Sequence, residues 1–355
     1  MGPVRHRTAA VLAVIVAALA LPATALAHGP IDPAATVFLA RVGHLPPGVT
    51  AKVVDGDLRL WVRVDPARTL VVLDYRQAPY VRFDRAGVQV NTNSEMFYLN
   101  QVPAEVPPPG LGPQTPPHWL SVSSGHAYEW HDGRLSDLAA TALAPGTRYV
   151  GEWRVAVRVD GAPAALSGSL YYKPSPSIVW FWPIIVSLLC VLAALRLRRP
   201  GLDLRLARGL AAVALAAFTV AVTAQELHGR PTVSVGQELT LAVALAFVGW
   251  AASRLVRRRH GWFTFFLIAA VAIWEGASLI LVLADGFVLL ALPPLLVRLA
   301  VVTCLSSGLG LLAVVLVMAE RPARGRRGRP EAPDRSAEDR EPAAPDDLEA
   351  WQPSA

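Results

Sequence analysis

The chain has 355 residues, 53% of them hydrophobic, with 33 Lys and Arg against 27 Asp and Glu and only two cysteines. So apolar a composition excludes an intrinsically disordered chain, and so few cysteines exclude a disulfide-stapled scaffold. The net charge of +6 is almost all arginine, in clusters that flank hydrophobic runs, which argues for membrane topology and against nucleic-acid binding.

Residues 1–27 open with Arg5, His6 and Arg7, continue through an apolar stretch at about 11–23, and end in Ala25-Leu26-Ala27. This is the layout of a secretory signal peptide, cut after Ala27 to leave His28 as the first mature residue. A free α-amine beside an imidazole is a pair of nitrogen ligands suited to copper(II).

From 28 to 176 the hydrophobic period is two. Leu58, Leu60, Val62 and Val64 alternate with Asp57, Arg59, Trp61 and Arg63, and Trp153, Val155, Val157 and Val159 alternate with Glu152, Arg154, Ala156 and Arg158. Each reads as a half-buried strand. Further strands are predicted at 69–75, 80–83, 88–91, 119–123 and 166–172, with turns at Asp55-Gly56 and Asp160-Gly161 and no amphipathic helix. The proline-rich stretch 103–117 is predicted to be a long surface loop. The pattern predicts an all-β, immunoglobulin-like sandwich with no disulfide, since Cys190 and Cys304 both lie further on.

From 177 to 319 the chain reads as an α-helical membrane domain of about five transmembrane helices, at 178–195, 207–224, 239–252, 262–284 and about 295–318. Arginines at 196–208, 254–259 and 321–329 place those loops and the tail inside, and the ectodomain outside. The chain is thus predicted to be a multi-pass plasma-membrane protein. Its tail, 320–355, reads as disordered and cytoplasmic. Glu275 falls near the middle of the fourth span, either as a proton or cation relay or as a protonated or paired group, with Arg298 as a partner. Gln225, Glu226, His228 and Glu238 gather where the second and third spans meet the outside, as a metal site or a solvated loop would.

Chemistry-bearing residues in the ectodomain are few. His118, His126, His131 and Asp132 lie around the proline-rich loop and the segment after it. Two readings stand side by side: surface histidines beside a packed Trp130, or a metal site built from His28, His126, His131 and Asp132. No nucleophile elbow, phosphate-binding glycine loop or His-Glu-x-x-His is present, so the chain is not read as an enzyme.

The runs at 80–100, at 119–134 (WLSVSSGHAYEWHDGR) and at 153–172 resemble an uncharacterised actinobacterial family of exported β-sandwich proteins with C-terminal transmembrane helices. In that family the segment reads Trp-His-Asp-His-Arg-x-His-Trp. Trp130, His131, Asp132 and Arg134 match it, while Gly133 and Ser136 stand where histidines would be. A weaker similarity, carried by His28, Trp153-Arg154-Val155 and Asp160-Gly161, is to periplasmic copper-resistance proteins of the CopC type, with Ala162 in place of a histidine ligand. These resemblances imply a CopC-like sandwich and copper binding or sensing at the cell surface. The alternative is an interaction module that binds a protein or envelope component, with the helices as anchor and assembly surface.

Overall fold

In the computed structural model the described residues are 33–140, 143–196, 200–258 and 261–320. The predicted leader, with His28, and the predicted tail beyond Glu320 lie outside them. The strands are β1 (Ala35–Thr36), β2 (Phe38–Val42), β3 (Val49–Val54), β4 (Arg59–Val64), β5 (Leu70–Leu73), β6 (Pro79–Asp84) and β7 (Gly87–Asn91). A one-turn helix α1 (Glu95–Leu99) precedes β8 (Trp119–Ser123), β9 (Ala127–His131), β10 (Tyr149–Val159) and β11 (Ala162–Tyr172). Five helices follow: α2 (Trp182–Arg196), α3 (Pro200–Glu226), α4 (Val235–Val256), α5 (Trp262–Ser278) and α6 (Pro294–Glu320), with a short β12 (Phe287–Val288) between the last two.

The strands form a seven-stranded sheet, in the order β2-β11-β10-β5-β6-β7-β8, and a three-stranded sheet, β3-β4-β9. Alternation does what the period predicts. Leu60, Val62 and Val64 of β4 and Trp153, Val155, Val157 and Val159 of β10 all point into one shared core with Phe83, Leu166 and Trp130. The predicted turns are real. Asp160 and Gly161, with φ of +48° and +84°, form the two-residue hairpin between β10 and β11, while Asp55 and Gly56, with +58° and +82°, open a four-residue loop that joins Val54 of β3 to Arg59 of β4. The helix α1 is a single turn that the sequence pattern did not announce.

Four helices are long and apolar enough to cross a membrane: Ile178–Arg196, Gly201–Glu226, Val235–Val256 and Pro294–Ala319. The expected fourth span, 262–284, divides. Helix α5 stops at Ser278 after 17 residues, about 25 Å of rise, and the chain continues as a 3-10 turn, Ile280–Leu283, and then β12. It stops because the next residues are committed elsewhere. β12 pairs with β1, and the Arg298 side chain binds the carbonyls of Val282, Asp285 and Gly286 at 3.0–3.1 Å.

Candidate functional site

Of the predicted metal ligands, His28 lies outside the described residues, and the two described histidines stand apart. His126 precedes β9 and His131 ends it, five residues apart along an extended strand, about 16 Å. The backbone carbonyl of His126 accepts from Val64 N–H at 2.9 Å, while its Nε2 is buried without a hydrogen-bond partner beside a shallow groove lined by Thr50, Arg63 and Asp65. The backbone of His131 is held by Asn100, whose Oδ1 accepts from His131 N–H at 2.7 Å. His118 contacts Thr92 Oγ1 through Nδ1 at 2.8 Å.

Asp132 is fully buried, 0% exposed, and its oxygens are saturated. They accept from Trp130 Nε1 at 2.8 Å, from Arg134 Nε and Nη2 at 2.8 and 2.7 Å, and from Arg134 N–H at 3.2 Å. Arg134 in turn donates to the Leu73 carbonyl and stacks over the Tyr75 ring. Asp132 therefore ties β9 to β5 as a structural ion pair. Among the described residues no group of three His, Cys, Asp or Glu side chains is placed to hold a metal ion.

A denser set of polar groups lies where the two-sheet domain meets the helices. The pairs Ala35 with Val288 and Thr36 with Phe287 join β1 to β12, and Leu289 N–H donates to Ala34 O at 2.9 Å. Ala34 and Ala35 pack among Phe218, Leu283 and Val297 of the helical core. Arg230, in the loop between α3 and α4, donates to the Pro33 carbonyl at 3.1 Å and lies 3.7 Å from Asp55. Asp55 also receives Arg59, which reaches Glu129 at 2.6 Å. Lys52 donates to the Pro231 carbonyl at 3.0 Å. Gly56 is required here twice over. Its positive φ suits the turn, and a Cβ would stand 2.7 Å from Thr36 Cγ2. A Cβ on Gly286 would stand 2.2 Å from the Lys173 carbonyl oxygen, so the α5–α6 connection lies directly against the exit of β11. Beside the Asp55 turn, burial pushes the Asp57 carboxyl up to about 6.

Beneath this junction lies Glu275. Helix α5 buries Thr264, Phe265, Ile268, Ala269, Ala272, Glu275 and Gly276, one stripe of helical period, so the carboxylate continues the apolar face into the bundle. It sits in the last turn of α5, near the two-sheet domain, rather than at mid-span. Close packing holds it there, for a Cβ on Gly276 would stand 2.7 Å from Leu305 Cγ and 3.2 Å from Cys304 Cβ of α6. Glu275 is 8% exposed and its Oε1 has no hydrogen-bond partner. The expected partner Arg298 is instead spent on the three carbonyls of the connection. Glu226, the last residue of α3 and 9% exposed, lies within electrostatic reach of Glu275, as Arg230 does of Glu226. The stripe period could have shown that Glu275 points inward. Nothing in the sequence pairs it with Glu226, 49 positions earlier.

Compared with known proteins, the chain matches no family model, no curated protein and no solved structure.

Proposed function

We propose that this chain is a non-catalytic, membrane-anchored extracytoplasmic interaction protein that captures a protein or envelope component along the free edge of its larger sheet. The observation that carries this reading is β8. Among the described residues it is bonded on one side only, to β7, and it exposes Leu120 (48%) and Val122 (41%). An open strand edge with apolar side chains offers main-chain bonds and pockets to an added extended segment. The junction supports a shared role for the two halves, because a tether alone needs neither strand pairing nor the Arg230 contacts. Arginines at 196, 205, 208, 254, 257 and 258 belong to the helix ends away from the junction, in keeping with a cytoplasmic far side. The two-sheet core supports reading the ectodomain as an immunoglobulin- or CopC-like sandwich.

The test is a photo-crosslinking residue placed at Val122 of the full chain in its native membrane, with the same residue at exposed Thr50 as control. A discrete adduct from position 122 that disappears with Leu120→Asp is expected; no adduct, or the same adducts from position 50, overturns the reading.

Copper binding at the mature terminus is the second reading, favoured by the Ala25-Leu26-Ala27 cleavage pattern directly ahead of His28. Copper(II) titration of the full chain, with and without one residue ahead of His28, tests it. One-to-one binding lost on extension is expected, and no binding above background overturns it.

A further inference from the structure

We infer that Glu275 is a proton-binding site at the junction end of the bundle, reached through Glu226. This does not depend on what the β8 edge binds. Three observations carry it.

The first is placement. Glu275 is more than nine-tenths buried on the apolar stripe of α5, and its Oε1 meets no donor. A carboxylate placed so is strongly disfavoured, and taking up a proton removes the charge without requiring a fixed cation.

The second is the neighbourhood. From α3 come Glu226 and Gln225, whose amide lies 3.5 Å from Glu226 Oε1. The α3–α4 loop carries His228 and Arg230, and the α5–α6 connection carries Asp285. From α6 come the Cys304 thiol and Arg298. Arg230 reaches Glu226, and Arg298 binds backbone carbonyls. No hydrogen bond joins either arginine to Glu275, and the charge that acts on it is that of Glu226, a like charge whose repulsion a proton on Glu275 relieves.

The third is the ligand class. No three metal-ligating side chains come together here among the described residues, so a divalent ion lacks its donors while a single proton needs only the one carboxylate. Glu226, at the end of α3 beside the Arg230 loop, supplies the step between the junction and the buried group.

Dicyclohexylcarbodiimide, an apolar reagent that modifies protonated carboxyls, tests the site on the full chain in lipid nanodiscs, with adducts located by peptide mass spectrometry. Labelling of Glu275 is expected to fall as pH rises from mildly acidic to mildly alkaline, and to be the same in sodium and in choline chloride. Glu226→Gln is expected to lower the labelled fraction at neutral pH about threefold, by removing a like charge that favours the protonated form. The wild-type curve needs no variant, so a misfolded mutant cannot shelter the inference. Absence of labelling at every pH, labelling that ignores pH, or protection by sodium overturns it; protection by sodium would assign the pair to a monovalent cation.

Discussion

Asp132 and Glu275 are both buried carboxylates, and their surroundings are opposite. Asp132 has Trp130 and Arg134 on its oxygens, and Arg134 is itself bonded to a backbone carbonyl and laid over Tyr75. Glu275 has an oxygen facing packed helices with nothing to bond it. Burial alone therefore separates neither a structural from a functional acid nor a costly from a harmless one. What separates them is whether the lone pairs are met. A satisfied buried acid is part of the scaffold, and an unsatisfied one is free to exchange a proton.

The comparison breaks first at Asp132. Asp132→Ala strands the Arg134 guanidinium, whose side chain is only 11% exposed, and should cost about 3–5 kcal/mol of stability, read by denaturant unfolding followed through tryptophan fluorescence. Gly276→Val should cost about 1–3 kcal/mol by forcing α5 off Leu305, seen as a lower midpoint of thermal unfolding in detergent. Asp57 sharpens the contrast as a third, half-satisfied case. Its folded pKa, about 6, exceeds the ordinary 3.8, so the stability it contributes is present below about pH 4 and lost as pH rises through 6. Asp57→Asn should therefore stabilise the chain at neutral pH by about 1–2 kcal/mol after solvent screening, and leave it unchanged in acid, in paired unfolding curves. The smallest effect belongs to Glu275→Gln, which keeps the shape and should shift stability by less than about 1 kcal/mol, in the same thermal assay. A loss there as large as that at Asp132 would place Glu275 in the scaffold as well.

Much of the architecture was legible because period and turn chemistry are local. Leu60 to Val64 and Trp153 to Val159 announce their strands, and Asp-Gly pairs announce the hairpins. The helices announce themselves by length and hydropathy, except that hydropathy could not see α5 end at Ser278, since Leu279 to Leu283 is as apolar as the helix before it. Asp132 stood out beside a histidine, yet the tie is the Trp130-x-Asp132-x-Arg134 spacing, which puts an indole donor and a guanidinium on one carboxylate. Spacing alone could not decide between the two readings of the histidines, because neighbours in sequence diverge along a strand, by about 3.3 Å per residue. The pairing of β1 with β12 was out of reach. Two residues on each side carry no period, and their register is set by contacts some 250 positions apart.

That pairing has a consequence for how the chain is made. Ala35 and Thr36 leave the ribosome early, but the strand that completes them is not synthesised until Phe287 and Val288 follow. The two-sheet domain can build its sheets early, and then must wait, with one segment unmated, through the synthesis of α2 to α5. Closure of the junction thus belongs late in assembly, with only α6 still to be made, and a fragment ended after Tyr172 would keep its sheets but lack the seam that fastens them to the helices.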